Sequence, residues 1–402
     1  MFAAHALLAV VLWAAVVTAR TGVTASNSNS TKSAARRYYK TEFSKANPHS
    51  VEVMLLHRET EVFGAAVKSA QEQGFSIQGF YHTSTWQPKW ASVVTDQLKL
   101  LDGFRHTPVN VGDANSSYEV SPLNWTSLLA ASDGLYLNVA GPTTADLKKV
   151  QQLVNTLPLR HKDKIQFNFN TTVGRDAWGD AKRREALMKD AQLSAGEHST
   201  VQALQRYCQR KVDSGEKAIV YYFHSKSGCC HKPFNSRESN PRASWREYMN
   251  AFSLEFPSVC LRAMLAGYST CGVENQDAHY SGNFWWADCA HVASLSPSEN
   301  RFDAWSAEFY VQKYSVDFSL ARRIGYHCGY SAFNCGLNLY DFDCSREKYR
   351  DRLYKLVMGR QLAPSFRGAP HSEDDKRCGD IRGPSYNKNQ IKVRAAFVGV
   401  KA

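Results

Sequence analysis

Short apolar runs alternate with amphipathic helical segments through the middle of the 402-residue chain. The runs FSIQGFYHTS (75–84) and KAIVYYFHSK (217–226) are rich in aromatic and β-branched residues and end in polar residues, which predicts two buried strands. The same features predict further strands at 134–142, 164–170 and 269–275.

Apolar residues three and four positions apart predict helices between those strands. The first helix is predicted to begin at Pro88 and to end at Gly103, because proline fits the first helical turn and glycine suits the residue after the last. Thr143 and Asp146 are spaced to cap the next helix. Further helices are predicted near 199–212, from the capping box Ser244–Glu247, and from Pro257 to Gly267.

Strands separated by helices of this length predict parallel pairing through βαβ crossovers. We therefore expect an α/β fold: a Rossmann-like, mostly parallel, twisted sheet with helices on both faces, followed by an irregular, disulfide-containing C-terminal region. Open sheets of this kind bind ligands beyond the carboxyl ends of their strands. Polar residues at those ends are the first candidates for a site.

The two ends of the chain differ from this central pattern. The uncharged run ALLAVVLWAAVVTA (6–19) predicts a signal peptide over residues 1–25, and an uncleaved anchor in the endoplasmic reticulum or Golgi is the alternative. Residues 26–48 are small and polar, which favours a flexible stalk. Residues 49–360 are predicted to form one domain, and residues 361–402 a loop-rich tail.

Cysteine content and glycosylation sequons agree with a secretory route, with the lumen of the Golgi or endoplasmic reticulum or the exterior as the destination. Ten cysteines, an even number, favour disulfides in an oxidising compartment. Asn-x-Ser/Thr sequons, which need an exposed lumenal loop to be used, occur at Asn29, Asn115, Asn124 and Asn170.

Charge favours an anionic partner without favouring nucleic acid. The formal net charge is +12 at pH 7, which suits a phosphorylated ligand or a membrane surface. The basic residues are scattered, however, and the sequence has no zinc-finger spacing and no RNA-recognition signature. Nucleic acid is therefore not an expected partner.

The predicted strand 217–226 ends in His224, Ser225 and Lys226. At the carboxyl end of a strand, Lys226 is placed to neutralise a diphosphate, and Ser225 to donate a hydrogen bond to a phosphate oxygen. The alternative is an ordinary loop with a surface lysine and a capping histidine.

The segment HYSGNFWWADC (279–289) combines polar residues, a glycine and three bulky aromatics. Aromatic walls with a few convergent polar groups are typical of small-ligand sites. Alternation in an extended segment would turn one tryptophan inward and the next outward. The alternative is that the aromatics pack in the core. The residues of this segment predicted to bind substrate are His279, Tyr280, Ser281, Gly282, Asn283, Trp285 and Trp286.

Glu308 and Asp288 are the candidates for a general base. Glu308 lies beside apolar residues that would favour its protonated form, and Asp288 directly follows the tryptophans. Solvated positions are the alternative for both. An Asp-x-Asp pattern at 341–343 is of the type that holds a divalent cation, although it comes late in the chain.

In order along the chain, VYYFHSKSG, SWREYMNAFSLEFPSVCLRAM, HYSGNFWWADC and AEFYV resemble a group of glycosyltransferase-like proteins of the GT-A type, similar to proteins of polysaccharide and rhamnan synthesis. The resemblance spans roughly residues 75–315, and SGNFWWA is its most specific part. It implies a nucleotide-sugar donor and a glycan or glycoprotein acceptor. The matching positions are His224, Ser225, Lys226, Trp245, Arg246, Tyr280, Ser281, Gly282, Asn283, Phe284, Trp285, Trp286 and Glu308.

One departure from that family concerns the cofactor. Many GT-A enzymes carry an Asp-x-Asp at the end of the strand that carries HSK here, and this chain has none there. Lys226 would then balance the leaving diphosphate without a metal, while Mn²⁺ or Mg²⁺ bound elsewhere is the other option. The departure also leaves open a secreted carbohydrate-binding or catalytically inactive module, and, as a third alternative, another transferase such as a sulfotransferase.

Overall fold

The structure is a computed structural model that describes residues 48–85, 89–108, 118–122, 126–171, 197–225, 241–276, 279–280, 282–295, 307, 310–311, 329–333, 344 and 346–359. The chain divides into two compact units, Met1–Glu52 and Val53–Ala402. Of the first unit only residues 48–52 are described, as the start of a helix. The fold and the site described below belong to the second unit.

The helices of the described residues vary from one turn to seven. They are α1 (Pro48–Glu72), α2 (Trp90–Leu101), α3 (Leu128–Ala131), α4 (Thr144–Thr156), α5 (His198–Asp213), α6 (Pro241–Asn250), α7 (Ser258–Leu265), α8 (Cys289–Ser294) and α9 (Arg346–Met358). A 3₁₀ turn at Lys162–Lys164 follows α4, and a π-helical segment at Ala251–Glu255 joins α6 to α7.

The strands form one large sheet and two small hairpins. They are β1 (Phe75–Ser84), β2 (Phe104–Pro108), β3 (Tyr118–Pro122), β4 (Gly134–Gly141), β5 (Ile165–Thr171), β6 (Lys217–His224), β7 (Thr270–Gly272), β8 (Asn275–Gln276), β9 (His279–Tyr280), β10 (Trp285–Asp288) and β11 (Gly329–Ser331). Strands β2 and β3 pair with each other, as do β8 and β9.

The large sheet has seven strands in the order β11-β7-β10-β6-β1-β4-β5. Strands β6, β1, β4 and β5 pair in parallel, and so do β7 and β11. Among the described strands of the large sheet, only β10 is antiparallel to both of its neighbours. The prediction of an α/β fold with a mostly parallel sheet is therefore confirmed.

The chain reverses the direction in which it adds strands between β1 and β6. From β1 it builds outward to β4 and β5, and β6 then pairs on the other side of β1. The register places His82 of β1 beside His224 of β6. In open α/β sheets such a reversal leaves a crevice at the carboxyl ends of the two strands, where ligands bind.

Both faces of the sheet are covered, and alternation along the strands fills both sides. Tyr222 and Trp285 belong to the core that α5 and α8 cover, and their rings stack at 5.2 Å. Tyr221 and Trp286 occupy the opposite face, where their rings stack at 5.1 Å. The π-helical segment lies on that face, because the Trp286 indole donates to the carbonyl of Ser253.

Local sequence signals located most of these elements correctly. Strand β1 has the predicted bounds, and the predicted cap of α4 is present as a capping box of Thr143 and Asp146. The predicted start of α6 at Ser244 is wrong, since the helix begins at Pro241. Proline is favourable at the first position of a helix, so the helix begins at Pro241, three residues before the predicted capping box.

Disulfides join described cysteines on both faces of the sheet. Cys208 of α5 bonds Cys289 of α8, and Cys260 of α7 bonds Cys271 of β7. Cys344 is disulfide-bonded as well. These bonds agree with an oxidising compartment.

Some of the predictions about the secretory route concern residues outside the described part. The signal-peptide run and the sequons at Asn29, Asn115 and Asn124 lie there. Asn170 is described, half-buried near the end of the edge strand β5. In the described part of the chain, no helix has both the length and the hydrophobicity needed to span a bilayer.

Candidate functional site

The two motif segments meet at the carboxyl edge of the sheet. Because β10 is antiparallel to β6, the residues just before β10 lie beside the end of β6. His224 Nε2 is 2.8 Å from the carbonyl oxygen of Gly282. The amide of Ser225 donates to the carbonyl of His82 at 2.9 Å, which extends the contact to β1. These two segments, far apart in the sequence, therefore share one rim of the sheet.

A tight turn at Gly282 and Asn283 shapes this edge. Both residues have positive φ, +89° and +58°, and an asparagine with positive φ is uncommon outside turns and sites. A Cβ at position 282 would lie 2.2 Å from Met249 Sδ and 3.1 Å from Trp245 Nε1. A side chain at position 282 would have an unfavourable positive φ and would have to displace the Met249 side chain of α6, while Trp245 is buried beside the turn.

Glu197, directly before α5, supplies the carboxylate of this edge. Its Oε1 lies 3.3 Å from His224 Nδ1. Its Oε2 accepts hydrogen bonds from Asn283 Nδ2 and, at 3.0 Å, from the Tyr222 hydroxyl. Glu197 was not predicted as a site residue, because no sequence motif marks it. Its position between a predicted strand and the following predicted helix could have indicated the carboxyl edge, because that is where the loop from a strand to a helix lies in a βαβ unit.

The directions of these hydrogen bonds follow from groups that have only one role. The Trp285 indole can only donate, and it donates to Asn283 Oδ1 at 2.7 Å, so Asn283 Nδ2 must donate to Glu197. The Gly282 carbonyl can only accept, so His224 Nε2 carries a hydrogen. One shared proton then fits between His224 Nδ1 and the carboxylate.

A second polar cluster continues along the same face of the sheet. Asn138 of β4 donates to Ser199 and Thr200 at 3.0 Å each and accepts from Asn168 of β5 at 2.8 Å. His82 Nδ1 lies 3.0 Å from Thr200 Oγ1. Burial lowers the pKa of His82 to about 4, while the charge of Glu197 raises it and that of His224 lowers it. The start of α5 thus links the two clusters.

On the opposite face, buried polar groups fix the end of β6. The Thr83 hydroxyl donates to Ser225 Oγ at 2.9 Å. Gln97 of α2 donates to the His224 carbonyl and to Asn250 Oδ1, each at 3.1 Å. Ser225 is buried, so its hydroxyl is engaged within the protein here. Lys226 lies outside the described residues.

Trp285 and Trp286 are core residues in this structure. Both are 0% exposed, and both indole N–H groups donate within the protein. The expectation that one of them faces outward is wrong, because β10 is a central strand covered on both faces. Tyr280 is also fully buried, and its hydroxyl lies 2.9 Å from that of Thr270.

Asp288 lies at the other edge of the sheet. It pairs with Ile219 near the start of β6, five residues and roughly 16 Å along the strands from the level of His224. Its carboxylate caps α8 by accepting from the amide of Ala290 at 2.7 Å. Burial raises its pKa. The predicted base Asp288 therefore does not share the edge that carries both motifs.

The remaining predicted site residues have separate places. Arg246 is on α6, where burial lowers its pKa and the charges of Glu247 and Asp96 raise it. His279 is half-buried in β9. Ser281, Glu308 and residues 341–343 lie outside the described residues. Within the described ranges, no three His, Cys, Asp or Glu side chains are grouped as metal ligands.

A domain of unknown function (DUF8361) matches residues 150–334, which is less than half of the chain. The matched range begins in α4 and ends just after β11, and it contains Glu197, His224 and Asn283. No curated protein and no solved structure matches the chain.

Proposed function

We propose that this protein is a glycosyltransferase with a GT-A-like fold, which moves a sugar from a nucleoside-diphosphate donor to a hydroxyl of a glycan or glycoprotein in the secretory pathway. The observation that carries the proposal is the contact between His224 and Gly282 at the carboxyl edge of the sheet. It brings the two family-like motifs together where an open α/β sheet binds its ligand.

The strand order supports the finer fold assignment. If the seven described strands of the large sheet are renumbered 1 to 7 in chain order, their order across the sheet is 3-2-1-4-6-5-7. Strand 6 in this numbering is β10, the only one of the seven that is antiparallel to both neighbours. The 3-2-1-4 part is the order of nucleotide-binding doubly wound sheets.

The donor diphosphate would lie at the end of β6. Ser225 is buried and fixed to β1 at the crevice between the two strands, and Lys226 is the next residue in the sequence. A lysine there balances diphosphate charge without an Asp-x-Asp metal site.

Nucleotide binding tests this proposal. Calorimetry with UDP and GDP, each with and without Mn²⁺, and a donor-hydrolysis assay on the purified protein should show binding and turnover of one class of nucleotide sugar. We expect Lys226→Ala to weaken nucleotide binding about tenfold or more, which corresponds to about 1.4 kcal/mol. Lys217→Ala is the matched control, because Lys217 is exposed at the opposite end of the same strand. Absence of nucleotide binding in the wild-type protein would refute the proposal.

A carbohydrate-binding or inactive transferase-like module is the second candidate, and the missing Asp-x-Asp after β6 favours it. Against it stands the burial of Trp285 and Trp286, because an aromatic platform for sugar needs an open ring face. Glycan binding without nucleotide affinity would decide for this candidate.

A further inference from the structure

We infer that Glu197 is the proton acceptor of the proposed transfer, and that His224 and Asn283 position it. The inference rests on the proposed function and deepens it, since it assigns the base to a residue that no sequence motif marks. Glu197 thus takes the role of base that was predicted for Asp288, because Asp288 lies at the opposite edge of the sheet.

The first argument is the place of the carboxylate. Glu197 ends the crossover from β5 to β6 and contacts His224 at the end of β6 and Asn283 before β10. It is the more exposed partner of the pair, with 21% of its side chain accessible against 8% for His224. A carboxylate at this edge is within reach of a ligand in the crevice, whereas His224 is covered.

The second argument is the way the carboxylate is held. Donors from β6 and from the turn before β10 fix Glu197, and the Trp285 indole fixes the orientation of the Asn283 amide in turn. Asn283 keeps this position at a positive φ of 58°, a strained conformation that is retained where surrounding contacts demand it. A base held in one geometry is preorganised for proton transfer.

The third argument is the proton between Glu197 and His224. Both ring nitrogens of His224 face acceptors, the Gly282 carbonyl at 2.8 Å and the carboxylate at 3.3 Å. When the carboxylate is ionised, His224 can donate to both acceptors only if it carries hydrogens on both nitrogens. The imidazolium then balances the carboxylate charge and helps to hold the carboxylate in place.

The step that follows is a single displacement. The acceptor hydroxyl oxygen bonds the anomeric carbon of the donor sugar, and the bond from that carbon to the diphosphate oxygen breaks. The electron pair leaves with the diphosphate, and the hydroxyl proton passes to the Glu197 carboxylate and then to solvent. No oxidant or further reactant is needed.

Glu197→Gln is the decisive variant because it preserves the hydrogen bonds. The glutamine carbonyl accepts from Asn283 and Tyr222, and its amide donates to Nδ1 of a neutral His224. We expect kcat to fall at least about 100-fold, the usual contribution of general base catalysis. The nucleotide Kd and the melting temperature should stay at their wild-type values. Asp288→Asn is the matched control and should leave kcat unchanged within about twofold, since asparagine also caps helices.

The outcomes separate this inference from the proposed function. Wild-type kcat in Glu197→Gln, with nucleotide binding intact, overturns the inference alone, whereas absence of transfer with every donor overturns both. ¹⁵N NMR of the His224 ring at pH 7 is independent of activity. Hydrogens on both nitrogens in the wild type, and only on Nε2 in Glu197→Gln, are the expected result. A neutral His224 in the wild type would refute the shared proton.

Discussion

The two ends of the paired strands β6 and β10 differ in how a carboxylate is used. At the amino end of β6, Asp288 accepts from a backbone amide and caps α8. At the carboxyl end, Glu197 accepts from three side-chain donors, one of them an imidazole. The first carboxylate stabilises a helix, and the second belongs to a network that links the start of α5, the end of β6 and the turn that leads into β10.

The ends are also held together differently. Close to Asp288, the bond between Cys208 and Cys289 joins α5 to α8 covalently. At the other end of α5, Glu197 is held by hydrogen bonds from Tyr222 and Asn283 and by the ion pair with His224. The amino end is therefore cross-linked close to its carboxylate, whereas the carboxyl end carries a polar network at the edge where we propose that the ligand binds.

Removal of the disulfides should have the largest effect. The double variant Cys208→Ala/Cys289→Ala opens a loop whose ends are 81 residues apart, against 11 for Cys260→Ala/Cys271→Ala. Loop entropy predicts losses of about 4.5 and about 2.7 kcal/mol in the free energy of unfolding. Denaturant titrations of the oxidised proteins measure both. Equal losses would show that loop length does not govern stability here.

Gly282→Ala should have the second-largest effect on the free energy of unfolding, because the added Cβ brings both a steric clash and an unfavourable backbone conformation at the carboxyl edge. Overpacking against Met249 and a side chain at positive φ together cost about 3–4 kcal/mol. Gly215→Ala is the control at the amino edge, where φ is +72° but no atom lies within 4 Å of the added Cβ. It should cost only about 1–2 kcal/mol. Similar losses in thermal unfolding would mean that packing on the turn is unimportant.

Acid should destabilise both ends through buried histidines. Burial lowers the pKa to about 4 for His82 at the carboxyl edge and for His291 of α8. Between pH 6.5 and pH 4 these histidines are protonated in the unfolded chain but stay neutral in the folded protein. The free energy of unfolding therefore decreases as the pH is lowered through this range, by roughly 3 kcal/mol per histidine. His82→Gln and His291→Gln should each flatten the dependence.

The His82 and His291 variants also test the two edges of the sheet separately. His291 Nε2 donates to the Val311 carbonyl at 2.8 Å, whereas His82 interacts with Thr200, Glu197 and His224. Each substitution should therefore remove its own part of the change in the free energy of unfolding between pH 7 and pH 4, and the double variant should remove both parts. An unchanged pH dependence in both variants would contradict the assignment.

The smallest effect is expected at the cap of α8. Asp288→Ala removes the acceptor for the amide of Ala290 and should cost about 1 kcal/mol. Nucleotide binding and transfer should not change, because the residue lies at the other edge of the sheet. A loss of transfer without a loss of stability would return Asp288 to the list of candidate bases.

The sequence predicted the parts of the site that local rules govern. The ends of β1 and β6 follow from short apolar runs, and their parallel pairing follows from the helices between them, so His224 and Ser225 were expected at the carboxyl edge. The cap at Thr143 and Asp146 likewise needs only four neighbouring residues. These features depend on contacts within a few positions of the chain.

Tertiary structure alone decided the direction of β10, the burial of Trp285 and Trp286, and the part played by Glu197. An antiparallel β10 sends Asp288 to one edge and Asn283 to the other, and nothing within HYSGNFWWADC encodes that direction. Asn283 and Glu197 are 86 positions apart, so their hydrogen bond has no local signature. Such contacts form only when the sheet assembles, because strand order and layer packing bring together residues that the chain keeps apart.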